Sequence, residues 1–182
     1  DGTVWAWGSN RLGQLGDGTT TDRLTPVQVS GLTGVVAIAA NDWHSLALKG
    51  DGTVWGWGTI PTPWAPFTTQ LSPVQVSALT GVAAIAAGQS HNLAVKRDGT
   101  VWEWGYVAYN QLRDGPGRDP YTPIQVVGRA GAVAVVGGQN HSLALKGDGT
   151  IWAWGGNDYG QLGDGTTGYR STRIQVGGLS GV

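Results

Sequence analysis

Three histidines, His44, His91 and His141, recur at steps of 47 and 50 residues. Imidazole is a common metal ligand and the usual general base near neutral pH. Regularly spaced, three of them could hold an ion or, with Ser45 and Ser142 beside them, assemble a hydrolytic site. Two constraints oppose both ideas. If the repeats stand around an axis, equivalent positions are too far apart to share one ion at bonds of about 2 Å. Neighbours along a strand point to opposite faces, so a histidine and the serine next to it do not meet. The histidines are therefore expected to make hydrogen bonds that close each repeat unit.

The other polar repeats also read as structural. Asp51, Asp98 and Asp148 each precede a glycine, a favoured pairing for tight hairpin turns that need positive φ. Gly163-Asp-Gly165-Thr-Thr-Gly168 fits a G-x-G-x-x-G string. No strand–turn–helix unit surrounds it, so dinucleotide binding is rejected. The Gly-Asp-Gly-Thr loops at Gly16 and Gly163 offer few oxygens for calcium. Cysteine is absent, which excludes disulfides, thiolate nucleophiles and Cys-ligated metals. Eleven Lys and Arg against twelve Asp and Glu give a net charge of −1. That balance supplies no field for phosphate backbones, so nucleic acid is not an expected partner. No apolar run is long enough for a membrane helix. No cofactor and no enzymatic activity are expected.

The elements that position these residues come from a four-part repeat. DGTVWAWG begins at Asp1, DGTVWGWG at Asp51, DGTVWEWG at Asp98 and DGTIWAWG at Asp148, marking units 1–50, 51–97, 98–147 and 148–182. GVVAIAA, HSLALK and PVQV segments recur at matching steps. A period near 50 residues with several short strands per unit predicts an all-β fold of β-propeller blades. Strand a is expected over Val35–Ala40, b over Ser45–Lys49, c over Thr53–Gly58 and d over Val74–Val76. Alternating alanines in strand a place it innermost, at the crowded axis. Leu46 and Leu48 share one face of strand b, and Trp55 and Trp57 share one face of strand c. The Trp pairs Trp5/Trp7, Trp55/Trp57, Trp102/Trp104 and Trp152/Trp154 are expected to pack between blades.

In this phasing a leading half-blade occupies 1–30, and four-stranded antiparallel blades follow at about 34–77, 81–127 and 131–177, or 3.5 blades and 14 strands. An uncovered blade face of order ~1,000 Å² would forgo roughly 25 kcal/mol of apolar burial. The chain also lacks methionine, even at position 1. It therefore reads as a piece of something larger, with additional blades from the parent protein or from a second copy.

WGSNRLGQLGDGTT from Trp7, PVQV from Pro26, GLTGVVAIAA from Gly31, HSLALK from His44 and WGGNDYGQLGDGTT from Trp154 resemble the regulator of chromosome condensation repeat family. The resemblance covers the whole chain. It implies a seven-bladed propeller of which this chain forms about half. The family includes a chromatin-bound exchange factor for a small GTPase, a plant ultraviolet photoreceptor and a bacterial inhibitor of β-lactamases, so it implies no single activity. The regular DGT repeats look most like bacterial members, which implies an exported or cell-surface setting.

What fails to repeat points to function. The loops between strands c and d diverge in the second and third units. One carries Trp64 and Phe67; the next carries Tyr106, Tyr109, Arg113, Arg118 and Tyr121. The fourth unit keeps the family loop but adds Tyr159, Tyr169 and Arg170. Trp43, just before the first histidine, is a further candidate. Trp, Tyr and Arg carry much of the energy of interfaces, and loops on rigid scaffolds carry function. The expected function is a non-enzymatic scaffold binding a protein through this loop face. Carbohydrate stacking on the same aromatic rings, and assembly of blades between chains, are the alternatives.

Overall fold

The structure is a computed structural model that describes residues 1–59, 69–105, 122–126, 131–179 and 181–182. Fourteen strands alternate with turns, and no helix occurs among the described residues. A half-blade pairs β1 (Trp5–Gly8) with β2 (Arg23–Gln28). Blade one is β3 (Val35–Ala40), β4 (His44–Lys49), β5 (Val54–Thr59) and β6 (Thr69–Gln75). Blade two is β7 (Val82–Ala87), β8 (His91–Lys96), β9 (Val101–Gly105) and β10 (Ile124–Gln125). Blade three is β11 (Ala132–Gly137), β12 (His141–Lys146), β13 (Ile151–Gly155) and β14 (Arg170–Gln175). Within each sheet, strands are hydrogen-bonded in chain order and antiparallel, and no strand crosses from one blade to another. The first strands of successive blades pack together, β3 against β7 and β7 against β11, so the alanine-rich strand converges with its neighbours.

The hairpin between the second and third strands shows why Asp-Gly recurs. Gly52 N donates to Lys49 O at 2.9 Å and Lys49 N to Thr53 O at 3.0 Å, closing a three-residue loop. Positive φ falls on Gly52 (+84°) and not on Asp51, which is a type I turn ending in a left-handed glycine. The aspartate has its own task. Asp51 Oδ1 accepts from Thr53 N at 2.9 Å and from Thr53 Oγ1 at 2.6 Å, and Asp98 and Asp148 repeat the pattern. The same turn touches the next blade. Val82 N donates to Gly52 O, and a Cβ on Gly99 would stand 2.4 Å from Gly131 N.

Cores form between blades. Leu46, Leu48 and Val54 of blade one meet Val82, Ala94 and Trp104 of blade two. Leu93 and Val95 of blade two meet Ala132, Ala144 and Trp154 of blade three. Val4, Val29 and Leu32 of the half-blade region meet Ala47 and Trp57. Each interface buries the second tryptophan of the following blade.

Three expectations need correction. The fourth strand is longer than Val74–Val76 in blade one, running from Thr69 to Gln75. A bulge between Gly56 and Gly58 lets Gly58 pair with Gln70 and Thr59 with Thr69. The tryptophan pairs do not all pack between blades. Trp57, Trp104 and Trp154 do, but Trp5 and Trp7 are 53% and 62% exposed, because nothing among the described residues lies against that face. The first member of each later pair is instead half-buried under a lysine of its own blade. Lys49, Lys96 and Lys146 stand 5.8, 4.0 and 5.5 Å from the rings of Trp55, Trp102 and Trp152. The third correction concerns the histidines.

Candidate functional site

His44 and His91 join blades rather than closing single ones. His44 Nε2 donates to Asn92 Oδ1 of the next blade at 2.6 Å, and Asn41 Nδ2 lies 3.1 Å from His44 Nδ1. His91 Nε2 lies 3.0 Å from Ser142 Oγ, again one blade on. The serine hydroxyl donates to Glu103 Oε1 at 3.3 Å, and Trp154 Nε1 donates to Glu103 Oε2 at 3.0 Å. Strand alternation explains why these partners were missed. It separates a histidine from its own neighbour, but the histidines of blades one and two face the residue after the histidine in the following blade.

This places a serine, a histidine and a carboxylate in one buried cluster. It lacks the geometry of a hydrolytic triad. Both Ser142 and Glu103 stand on the Nε2 side of His91, the carboxylate at 3.9 Å, so it does not orient the ring from Nδ1. Glu103 and Ser142 are wholly buried and His91 nearly so. Burial, with the fields of His141 and His44, pushes His91 down to about 4. Burial also lowers His44 against the opposing bond from Asn92, and lowers His141. The neutral imidazoles of His44 and His91 act here as hydrogen-bonding struts. No group of three His, Cys, Asp or Glu among the described residues could hold a metal ion.

The third-to-fourth-strand loops hold the surface candidates, and two of them are fully described. In the loop of the half-blade, Asn10 is buried. Its Nδ2 donates to Asp17 Oδ1 and Thr19 O, and its Oδ1 accepts from Leu15 N at 3.0 Å. Asn157 does the same in blade three, with Asp164, Thr166 and Leu162 as partners. Arg23 and Arg170 clamp the two aspartates, their Nε donors each 2.7 Å from the carboxylate. Desolvation pushes Asp17 up, but bonds from Thr19, Arg23 and Asn10 outweigh it and hold the carboxyl at about 2. Bonds from Thr166 and Arg170 hold Asp164 well below the usual carboxylate range. The Gly-Asp-Gly-Thr carboxylates are thus spent within the loop.

Arg170 is committed to this internal clamp. Tyr159 is 94% exposed on the same loop, and Tyr169 is exposed beside it. Trp43 is half-buried, with its carbonyl accepting from Thr59 N at 2.8 Å. Trp64, Phe67, Tyr106, Tyr109, Arg113, Arg118 and Tyr121 lie outside the described residues.

Four-stranded antiparallel blades joined side by side define a segment of β-propeller. Family models for the "Regulator of chromosome condensation (RCC1) repeat" match residues 1–48 and 148–181, and residues 82–111 and 132–161. The chain belongs to this repeat family. It is 43% identical over 60 residues to human "RCC1 domain-containing protein 1", covering 31% of this chain and 16% of that protein. It is also 43% identical over 58 residues to human Alsin, covering 31% of this chain and 4% of that protein. Human WBSCR16 superposes with a TM-score of 0.82 at 24% identity, over 96% of this chain and 48% of that one. The yeast protein Prp20p, whose structure was described with its binding properties to Gsp1p and histones, superposes at 0.78 with 22% identity, over 96% and 46%. The chain thus spans about half the length of these solved structures.

Proposed function

We propose that this chain is a non-catalytic, protein-binding scaffold that engages its partner through the loops between the third and fourth strands. The observation that carries the reading is Tyr159. Its ring is almost fully exposed, yet the loop beneath it is held by Asn157, Asp164 and Arg170. An aromatic on a preorganised loop loses little entropy on binding. Its counterpart in the half-blade loop, Leu12, is partly covered, and its carbonyl faces Thr59 Oγ1 of blade one at 3.4 Å. A related yeast propeller is described as bound by Kap60, which supports a protein as the class of partner. The buried serine, histidine and glutamate offer no route for a substrate.

The test is affinity capture with the full chain, followed by cross-linking of retained proteins. Replacing Tyr159 and Tyr169 with Ala should abolish capture while the unfolding midpoint stays put. Replacing Trp64, Phe67 and Tyr109 with Ala tests the rest of the face. Unchanged capture by both sets, or capture with cross-links confined to the opposite side, defeats the reading.

A further inference from the structure

Each blade carries one position between the paired tryptophans whose side chain faces the next blade. In blade two it is Glu103, between Leu93 on one neighbouring strand and Ile124 on the other. In blade three it is Ala153, between Leu143 and Ile174. In blade one it is Gly56, between Leu46 and Val74. The Glu103 carboxylate is received by a residue pair directly opposite each other in the following blade, Ser142 and Trp154. The same register pairs Asn92 with Trp104 in blade two. That pair follows Gly56, which has no side chain to offer it.

Two observations mark the vacancy. Asn92 is fully buried, and its Nδ2 has no hydrogen-bond partner among the described residues, while its Oδ1 is taken by His44. A cavity of about 320 Å³ is lined by His44, which bonds Asn92, by Trp104, which stands opposite Asn92 on the neighbouring strand, and by Gly56, Leu46 and Val74. That volume lies at the lower end of small-ligand pockets. An unmet buried donor costs free energy that an incoming acceptor would recover.

We propose that the cavity between blades one and two binds a short acyl compound, with a carboxyl or carboxamide oxygen on an aliphatic stem. The oxygen takes the place that the Glu103 carboxylate holds one blade later, accepting from Asn92 Nδ2 and Trp104 Nε1. The stem packs on Leu46 and Val74. Neutral donors recognise the oxygen, so a net negative charge is not required. The proposal stands apart from the loop-face reading and survives its failure.

The experiment titrates the full chain with butyrate and, separately, with butyramide. The Trp104 indole N–H resonance reports binding, and the thermal midpoint reports stabilisation. A saturable indole shift with either compound, and a raised midpoint, is expected. A response to both assigns recognition to the shared oxygen; a response to butyrate alone assigns it to the anion. Gly56→Glu supplies a tethered carboxylate, so it should raise the midpoint and abolish the titration. A Cβ at that position meets Leu46 Cδ2 at 3.3 Å, which the leucine tip can yield. Should that variant fail to fold, Trp104→Phe keeps the ring and removes the donor. Affinity for butyrate should then fall about fivefold to tenfold. An indole resonance unmoved by both compounds overturns the proposal. So does undiminished binding in Gly56→Glu or Trp104→Phe.

Discussion

The interface between blades two and three and the interface between blades one and two share one backbone plan but differ in a single row. In the first, Glu103 accepts hydrogen bonds from Ser142 and Trp154, and the buried polar atoms form a continuous chain back to His91. In the second, Gly56 stands in that row, Asn92 keeps an unmet donor, and space remains. Sheet packing and strand register are the same in both. A propeller repeat therefore tolerates exchange between a satisfied polar network and a cavity, because the strands on either side carry the geometry.

The largest expected effect is at the filled interface. Glu103→Ala leaves the donors of Ser142 and Trp154 unmet in a dry site and opens a hole. It should lower stability by about 3 kcal/mol, read by urea unfolding. An effect below about 1 kcal/mol would mean that water replaces the carboxylate and that the two interfaces differ little.

Acid offers a comparable test of the histidine struts. His91 titrates near 4 in the folded chain and near 6.5 when unfolded, so the unfolded chain takes up the proton first. Stability should fall as pH drops from about 7 towards 4, by about 3 kcal/mol from this residue, and this contribution is lost entirely below 4. His44, lowered in the same direction, adds to the fall. Repeating the titration in His91→Gln should flatten the curve.

The two described loops permit a finer contrast. Asn10→Ala should cost about 2 kcal/mol, since its loop also delivers Gln14 O to Trp57 Nε1 at 2.8 Å and buries Leu15. Asn157→Ala should cost about 1 kcal/mol, because its loop meets no following blade among the described residues. Arg170→Ala, at a largely exposed ion pair, should cost less than about 1 kcal/mol. Thermal unfolding of the three variants checks the order.

Periodicity made the strands legible before any coordinates, because each lies in a four-stranded sheet whose hairpins are set by Asp-Gly turns. Alternation bounds Val35–Ala40 to the residue, and the repeat implies the fourteen strands found among the described residues. The fourth strand was shortened because the pairing of Thr69 and Gln70 depends on a bulge, which leaves no mark in hydrophobic alternation. The histidine partners were hidden for a related reason. A bond from His91 to Ser142 spans 51 residues and follows from the wedge angle between sheets, not from either strand. Glu103 was legible in principle, as the one acidic residue between paired tryptophans, where the other units carry Ala or Gly. Arg170 looked available because arginine is common at interfaces, but its spacing of six from Asp164 makes it a loop clamp, and Arg23 stands at the same spacing from Asp17.

The central claim is that successive four-stranded sheets are joined by neutral histidines reaching into the following blade. Long-range nitrogen–proton NMR correlations of the imidazole rings test it most directly. The account predicts that at neutral pH His44 and His91 are protonated at Nε2 and bare at Nδ1, and that His91 keeps this single tautomer at pH 5.5. Rings that titrate near the ordinary value of 6.5 with averaged tautomers would contradict it.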